Sequence, residues 1–359
     1  MTKPLGNHSP SLLIKRYVPW LALLAVLALA AWPRPAAAPA PAATAAPTPQ
    51  PQADAALLAA LNAAGEAESG AVQFFESVRY RVSQQMAVVN EGPGMASKQN
   101  LWIALIQTRW PYQQVHSVAI TPGEYQLARD EYGNLYAEFD FSHIQPGERI
   151  EVRLEYEVEV RRVVFDFGTC LGLLPSEHTR AELHIEANNP QVQALSAQLA
   201  AGRATACEQA RAFYDYTAEN LIYTFNAGNW GAQAALGEMG ADCTEYASLF
   251  VALSRAAGIP ARYFEGLRYG PGDEEPPEHA WAEFYAPSAG WIPSDPTLGR
   301  HEHSREQYFA RLPASHIVVT EGRSPSTLRG GSYIAHLYWA AGQARLRVVD
   351  FAWGMKPLH

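Results

Sequence analysis

The sequence has few cysteines and no excess of basic charge. Its 359 residues include three cysteines, Cys170, Cys207 and Cys243, and this odd number excludes a fully paired set. The 27 Lys and Arg residues are outnumbered by 36 Asp and Glu, giving a net charge of −9. Because nucleic-acid binding needs a basic patch, we expect no nucleic-acid partner. No internal repeat is present.

Residues 1–32 predict a signal peptide or a membrane anchor. Lys15 and Arg16 precede an uncharged run from Tyr17 to Trp32, and this order predicts export of the downstream residues. The run is long for a signal peptide and marginal for a spanning helix, which needs about 17–25 residues. Cleavage and anchoring both stay open. We therefore expect the folded part to be extracytoplasmic, either membrane-anchored or secreted.

Three further regions lie beyond the N-terminal segment. Residues 33–54 are rich in Pro and Ala and predict an extended linker. Residues 70–170 contain strand-like runs separated by turn signals, which predicts a β-rich accessory domain resembling a β-sandwich. After Pro175 the periodicity becomes helical, so residues 176–359 are predicted to form a second domain with a C-terminal β extension. The expected fold class is α+β.

The stretch GADCTEYASLFVALSRAAGIPAR, residues 240–262, predicts a helix that begins at Cys243. Asp242 is a favoured N-cap, and Glu245 three positions later completes a capping box. Gly258 predicts the end of the helix. A thiol at the first helical position lies near unpaired backbone N–H groups and the positive end of the helix dipole, which favours a thiolate. From its position alone, Cys243 could be either a catalytic thiol or a structural cysteine.

The stretch EHAWAEFYAPSAGWIPSDPT, residues 278–297, predicts a β-hairpin. If Phe284 pairs with Ile292 on the core face, then His279 and Asp295 emerge together on the opposite face. A thiolate enzyme needs such a pair, because the histidine moves the proton and the carboxylate holds the imidazole in position.

These motifs, GADCTEYASLFVALSRAAGIPAR, EHAWAEFY and GWIPSDPT, resemble those of the bacterial transglutaminase-like superfamily. The resemblance extends from the helix around Cys207 to Thr297. It implies a papain-like core in which a helix carries the cysteine and an antiparallel sheet carries the other two triad residues. It also implies that Cys243, His279 and Asp295 are the catalytic Cys, His and Asp. The β-rich segment before this core and the segment SHIVVTEGR…YIAHLYW after it resemble accessory regions of bacterial members more weakly.

The resemblance implies acyl transfer through a thioester, and its substrate stays open. We expect a cysteine enzyme acting on amide bonds of a protein or peptide, with hydrolysis favoured slightly over protein cross-linking. Two alternatives are an inactive module that binds a cell-surface partner and a cell-wall amidase of the other papain-like type. No cofactor and no metal are expected, contact with the membrane is expected through the N-terminal segment, and the oligomeric state stays open.

Several other residues leave alternatives open. Cys170 and Cys207 could form a disulfide or stay unpaired, with Cys207 by default a packing residue. His301 and His303 form an HxH that favours a solvated loop over a metal site. Trp281 could line the site or belong to the core, and Trp230 is a conceivable oxyanion donor. The acidic loop PGDEEPPE is either a solvated connection or a gate.

Overall fold

The computed structural model describes residues 55–63, 72–166, 168–225, 228, 230–237, 239–270, 278–323, 333–340 and 343–358. The predicted anchor and linker in residues 1–54 lie outside this part of the chain, as does most of the acidic loop before His279. Among the helices of the described residues, none is long and apolar enough to cross a membrane.

The described residues form five α-helices and thirteen β-strands. The helices are α1 (Ala55–Leu61), α2 (Pro190–Ala200), α3 (Ala206–Asn220), α4 (Ala232–Ala235) and α5 (Cys243–Ala256). The strands are β1 (Val72–Asn90), β2 (Ala96–Ala104), β3 (Gln113–Thr121), β4 (Gln126–Arg129), β5 (Leu135–Asp140), β6 (Arg149–Phe165), β7 (Ala261–Arg268), β8 (Glu278–Ala286), β9 (Gly290–Ser294), β10 (Arg311–Leu312), β11 (His316–Glu321), β12 (Ile334–Ala340) and β13 (Leu346–Pro357). Two short 3-10 helices come after β9, at Leu298–Arg300 and Glu302–Gln307.

Two antiparallel sheets share one hydrophobic core in the β-rich region. The first has the order β10-β6-β1-β13, with β3 also paired to β6, and the second has the order β12-β2-β5-β4. Strand β6 alternates between buried and more exposed residues: every second residue from Val152 to Val160 is buried. Those side chains pack with buried residues of β2 and β5, including Leu101 and Phe139. Alternation therefore directs one face of β6 to the core.

The C-terminal strands β12 and β13 complete these two sheets. Strand β13 pairs antiparallel with β1, from Tyr80 opposite Pro357 to Asn90 opposite Leu346, and β12 pairs with β2. The sequence predicted a C-terminal β extension here without indicating which strands it pairs with. The partners of β12 and β13 lie far earlier in the chain, and such non-local pairing leaves no local signal.

Helices α2 and α3 each begin at a side-chain cap. Asn189 caps α2 by accepting from the backbone N–H of Gln191, and Gly202 beyond its end has a positive φ of 77°. Thr205 and Glu208 form a reciprocal capping box at the start of α3. These caps satisfy backbone N–H groups that the first helical turn leaves unpaired.

The third sheet, in the order β11-β7-β8-β9, has two buried faces. Phe284 packs against Phe250 of α5, and Phe264 and Trp281 belong to the same hydrophobic core. Leu267 and Ile317 belong to the core of the accessory sheets. Because both faces are covered, this sheet is a rigid base on which side chains can be positioned.

Cys170 and Cys207 form a disulfide across 37 positions of sequence. The default interpretation of Cys207 as an unpaired packing residue is therefore wrong, although its side chain is buried. The bond joins the segment after β6 to the first turn of α3. Cys243 is the free cysteine.

Candidate active site

Helix α5 begins at Cys243, as its sequence predicts. The Asp242 carboxylate accepts from the backbone N–H of Thr244 at 2.9 Å, and the Glu245 carboxylate accepts from the N–H of Asp242 at 3.4 Å. This reciprocal capping box fixes the first turn and so the position of Cys243. The thiol is partly exposed. It lies at the positive end of the helix dipole, an environment that favours an anion.

A buried ion pair also stabilises the start of α5. Glu245 accepts from Arg323 at 3.1 Å, and Arg323 also donates to the Tyr263 hydroxyl at 2.6 Å. Burial and the nearby charge of Asp242 raise the pKa of Glu245 above its ordinary value, while Arg323 opposes the shift. Arg323 lies just after β11, so the pair links the capping box to the edge of the sheet.

The hairpin β8–β9 holds His279 and Asp295 in the register predicted from the sequence. Phe284 pairs with Ile292, which confirms that register, and the ladder continues to Ala282 opposite Ser294. His279 is the second residue of β8, and Asp295 comes directly after the last residue of β9. The two residues meet on the face opposite that of Phe284, with His279 Nε2 at 2.7 Å from Asp295 Oδ2.

Contacts with Asp295 and Cys243 stabilise the imidazolium form of His279. Burial alone would lower the pKa of His279, but the charge of Asp295 and hydrogen bonds to Asp295 and Cys243 raise it to about 10. Burial alone would raise the pKa of Asp295, yet His279 and His316 hold it well below its ordinary value. The hydrogen bond between the Cys243 and His279 side chains joins all three predicted residues in one chain of contacts. Their catalytic role stays a prediction.

The Asp295 carboxylate has a second buried partner that the sequence reasoning did not single out. His316 Nε2 lies 3.3 Å from Asp295 Oδ2, the oxygen that also contacts His279. The other oxygen, Oδ1, accepts from the backbone N–H of Leu298 at 2.9 Å. His316 is the first residue of β11. From the sequence alone, HIVVTE predicts only a buried strand, because its pairing with β7 joins distant segments. The ligand atoms of the two histidines and Asp295 lie within 4.8 Å of one another, at separations that hydrogen bonds explain.

Part of the chain is similar to known proteins of one superfamily. Residues 193–296, which include Cys243, His279 and Asp295, match the model of the transglutaminase-like superfamily. The chain carries a transglutaminase-like domain. The solved structure of a proposed cysteine protease from Cytophaga hutchinsonii superposes with a TM-score of 0.55 and 15% identity, covering 80% of this chain and 100% of that chain. Because identity is low, this likeness shows the fold alone.

Two curated relatives match parts of the chain. A protein-glutamine gamma-glutamyltransferase of Pseudomonas aeruginosa is 26% identical over 205 residues, which are 52% of this chain and 30% of that protein. The uncharacterized protein YebA of Bacillus subtilis is 30% identical over 98 residues, which are 24% of this chain and 13% of that protein. The chain thus spans less than a third of either relative.

Of the other candidate residues, one is buried and three are exposed: Trp281 is buried, and Trp230, His301 and His303 are exposed. Trp281 is fully buried and stacks at 6.0 Å on His279, so it belongs to the core and cannot offer a substrate shelf. Trp230 is exposed, and its ring meets His184 edge-on at 6.0 Å. His301 and His303 stack on each other at 5.7 Å on the surface.

Proposed function

We propose that this protein is an extracytoplasmic cysteine enzyme that cleaves amide bonds of proteins or peptides through an acyl-thioester on Cys243. The observation that carries the proposal is the buried His279–Asp295 pair, with Cys243 hydrogen-bonded to His279 at the capped start of α5. A nucleophile, a proton carrier and a group that orients the carrier are the parts that this chemistry requires.

The first half of the proposed reaction forms the thioester. The Cys243 thiolate attacks the amide carbonyl carbon, and the carbonyl oxygen becomes an oxyanion facing the N–H groups at the start of α5. The His279 imidazolium then gives its proton to the amide nitrogen. The C–N bond breaks, the amine leaves, and a thioester remains on Cys243 with His279 neutral.

The second half restores the enzyme. Water gives a proton to neutral His279 and adds to the thioester carbon, after which the C–S bond breaks. A carboxylic acid leaves, and the thiolate–imidazolium pair is restored. Water is favoured as the acceptor because Cys243 is partly exposed to solvent. Transfer to an amine is the second candidate, and the name of the Pseudomonas aeruginosa relative favours it.

Exposed apolar side chains beside Cys243 support a polypeptide substrate. Residues 222–224 pair with the segment that leads into α5, through the hydrogen bonds from Ala241 to Ile222 and from Thr224 to Ala241, each at 2.9 Å. The described residues from 222 to 239 expose five large hydrophobic side chains: Ile222, Tyr223, Phe225, Trp230 and Met239. Exposed hydrophobic surface is typical of a site that binds a partner.

The disulfide between Cys170 and Cys207 supports the proposed location. Disulfides persist in oxidising compartments and are rare in the cytosol. The order of Lys15, Arg16 and the apolar run also predicts export. Protease added to intact spheroplasts should digest the folded region. Complete protection until lysis would contradict an extracytoplasmic location.

Labelling with an iodoacetamide probe, with subsequent mass mapping of the modified cysteine, tests the nucleophile. At pH 6 we expect Cys243 to react faster than a free cysteine, whose pKa of about 8.5 leaves little thiolate. His279→Gln should slow the reaction, and Cys243→Ala should abolish it. A parent protein that labels no faster than a free cysteine would favour the inactive binding module.

A second assay separates the two acceptors. The parent protein is incubated with casein alone and with casein plus dansylcadaverine, beside Cys243→Ala. Hydrolysis predicts new peptide ends without incorporation of the fluorescent amine. Incorporation without peptide release would favour the cross-linking alternative.

A further inference from the structure

His316 is a buried polar residue on the sheet face that carries His279 and Asp295. It is the first residue of β11 and pairs with Arg268 of β7, and its side chain is fully buried. Its ring meets the Trp281 ring edge-on at 5.1 Å and lies 5.7 Å from the His279 ring. Burying an imidazole is costly unless its nitrogens have partners.

Both nitrogens of His316 have a partner. The Ser315 hydroxyl lies 3.1 Å from Nδ1, and Asp295 Oδ2 lies 3.3 Å from Nε2. Asp295 Oδ2 cannot donate as a carboxylate, so the hydrogen of His316 must lie on Nε2. The Ser315 hydroxyl can donate to an unprotonated Nδ1, so this arrangement fits a neutral ring with its N–H on Nε2.

The surroundings of His316 keep it neutral. Burial lowers its pKa, and the charges of His279 and Arg268 add to this effect, while Asp295 opposes it. The group that faces Asp295 from β11 is therefore a neutral N–H donor, whereas the group that faces it from β8 is an imidazolium. Both histidines contact Asp295 Oδ2, one as a neutral donor and the other as a cation.

We propose that His316 is a positioning residue for the triad, holding the Asp295 carboxylate in the plane that accepts from His279. The proposal rests on the proposed function of Cys243 and His279. Oδ1 is fixed by the N–H of Leu298, and Oδ2 is shared by the two histidines at 2.7 and 3.3 Å. Without the His316 donor, the carboxylate keeps one neutral anchor and can rotate away from the imidazolium.

Two substitutions test whether His316 acts as a hydrogen-bond donor or only fills space. His316→Leu fills a similar volume and removes the N–H, and His316→Gln keeps a side-chain N–H donor. The readout is the rate of iodoacetamide labelling of Cys243 at pH 6, where the reaction depends on stabilisation of the thiolate by His279. We expect His316→Leu to lower this rate about tenfold, as removal of an orienting outer partner typically does. His316→Gln should restore most of it.

A double-mutant cycle decides whether the effect passes through Asp295. Each His316 variant is made in the parent and in an Asp295→Asn background, with circular dichroism to confirm folding. If His316 acts through the carboxylate, His316→Leu should change the rate less than about twofold once Asp295 is Asn. An equal loss in both backgrounds, or a parent-like rate for His316→Leu, would overturn the proposal. A parent thiol that is itself unreactive would contradict the proposed function and this inference together.

Discussion

His279 and Asp295 form a buried hydrogen bond of 2.7 Å across the β8–β9 hairpin. His279 is 7% exposed and Asp295 is not exposed, so water does not weaken their interaction. The hairpin register joins Phe284 with Ile292. A slip by one residue would send one of the two polar side chains to the opposite face. The pairing is therefore fixed by the local pattern of apolar residues.

Asp295→Asn should leave the fold intact and slow the chemistry of Cys243. An amide can present its N–H group to His279 and favour the wrong tautomer, a change that costs about 10⁴-fold in a serine protease. Because the imidazolium here is already hydrogen-bonded to Cys243, we expect a smaller loss of about 10²–10³-fold in turnover.

The measurement is the rate of turnover or thiol labelling of Asp295→Asn beside Asp140→Asn. Asp140 is exposed at the end of β5, so its variant controls for the loss of one carboxylate. Full activity in Asp295→Asn would reduce the proposed triad to a Cys–His dyad.

The pKa of His279 should lie above the ordinary value for histidine. Its folded-state pKa of about 10 exceeds the unfolded value of about 6.5, so the native state holds the proton more tightly. The stability that this interaction contributes is complete below pH 6.5 and is lost as the pH rises through 10. NMR of the histidine rings should show this midpoint, with His279→Gln used for assignment.

Cys243→Ala offers a check on the cause of that shift. Removing the thiol should lower the pKa of His279 but leave it above the ordinary value, because Asp295 remains. A midpoint at or below 6.5 in the parent would contradict the thiolate–imidazolium interpretation.

The local parts of the fold and site could be predicted from the sequence. Asp242 and Glu245 mark the start of α5, and alternation around Phe284 gives the hairpin register. Both signals lie within 20 residues of sequence, where capping and strand periodicity act directly. That is why Cys243, His279 and Asp295 could be named before their geometry was known.

The remaining parts depend on contacts between distant segments. Strand β11 carries His316 to Asp295 only because it pairs with β7, and β13 joins the accessory sheet through β1. Strands β3 and β4 were not predicted, and the disulfide depends on how the segment after β6 approaches α3. Pairing of this kind has no signature in a single stretch of sequence.

Arg323→Met should destabilise the protein strongly, because it leaves Glu245 buried without its cation. Glu245 is 1% exposed, and breaking a buried ion pair costs about 3–5 kcal/mol. The pKa of Glu245 is already raised by burial and by Asp242, so the native state binds this proton more tightly than the unfolded chain does. The free-energy loss should therefore shrink as the pH falls from 8 to 5.

Chemical denaturation at several pH values measures this effect. Arg347→Met is the matched control, because Arg347 pairs with Glu91 on the surface and should cost less than about 1 kcal/mol. Adding Glu245→Gln to Arg323→Met should recover part of the stability. Equal losses for the buried and the exposed arginine would contradict the role of Arg323.

Replacing Cys207 by Ala should lower the free energy of unfolding by about 2–4 kcal/mol. The disulfide closes a loop of 37 positions, and cross-linking such a loop restricts the unfolded chain. Thermal unfolding with and without a reductant gives the measurement. If the reductant leaves the thermal unfolding of the parent protein unchanged, the disulfide does not stabilise the fold.

Gly266→Ala should disturb both the fold and the candidate site, because β7 has no room for a side chain there. Gly266 lies opposite His279 on one side and Val318 on the other. An added Cβ would lie 2.0 Å from the Ile317 carbonyl oxygen and 2.8 Å from Trp281 Cη2. Relief would require β11 to move away from β7, carrying His316 with it, or Trp281 to leave its contact with His279.

We expect Gly266→Ala to cost about 1–3 kcal/mol of stability, as overpacking usually does, and also to slow labelling of Cys243. Gly123→Ala is the control, because no atom lies within 4 Å of a Cβ at that position. Trp281→Phe combined with Gly266→Ala should give only partial recovery, since the clash with the carbonyl of Ile317 persists. Parent-like unfolding and labelling of Gly266→Ala would mean that β7 and β11 separate without cost, which the burial of Ile317 and Val318 argues against.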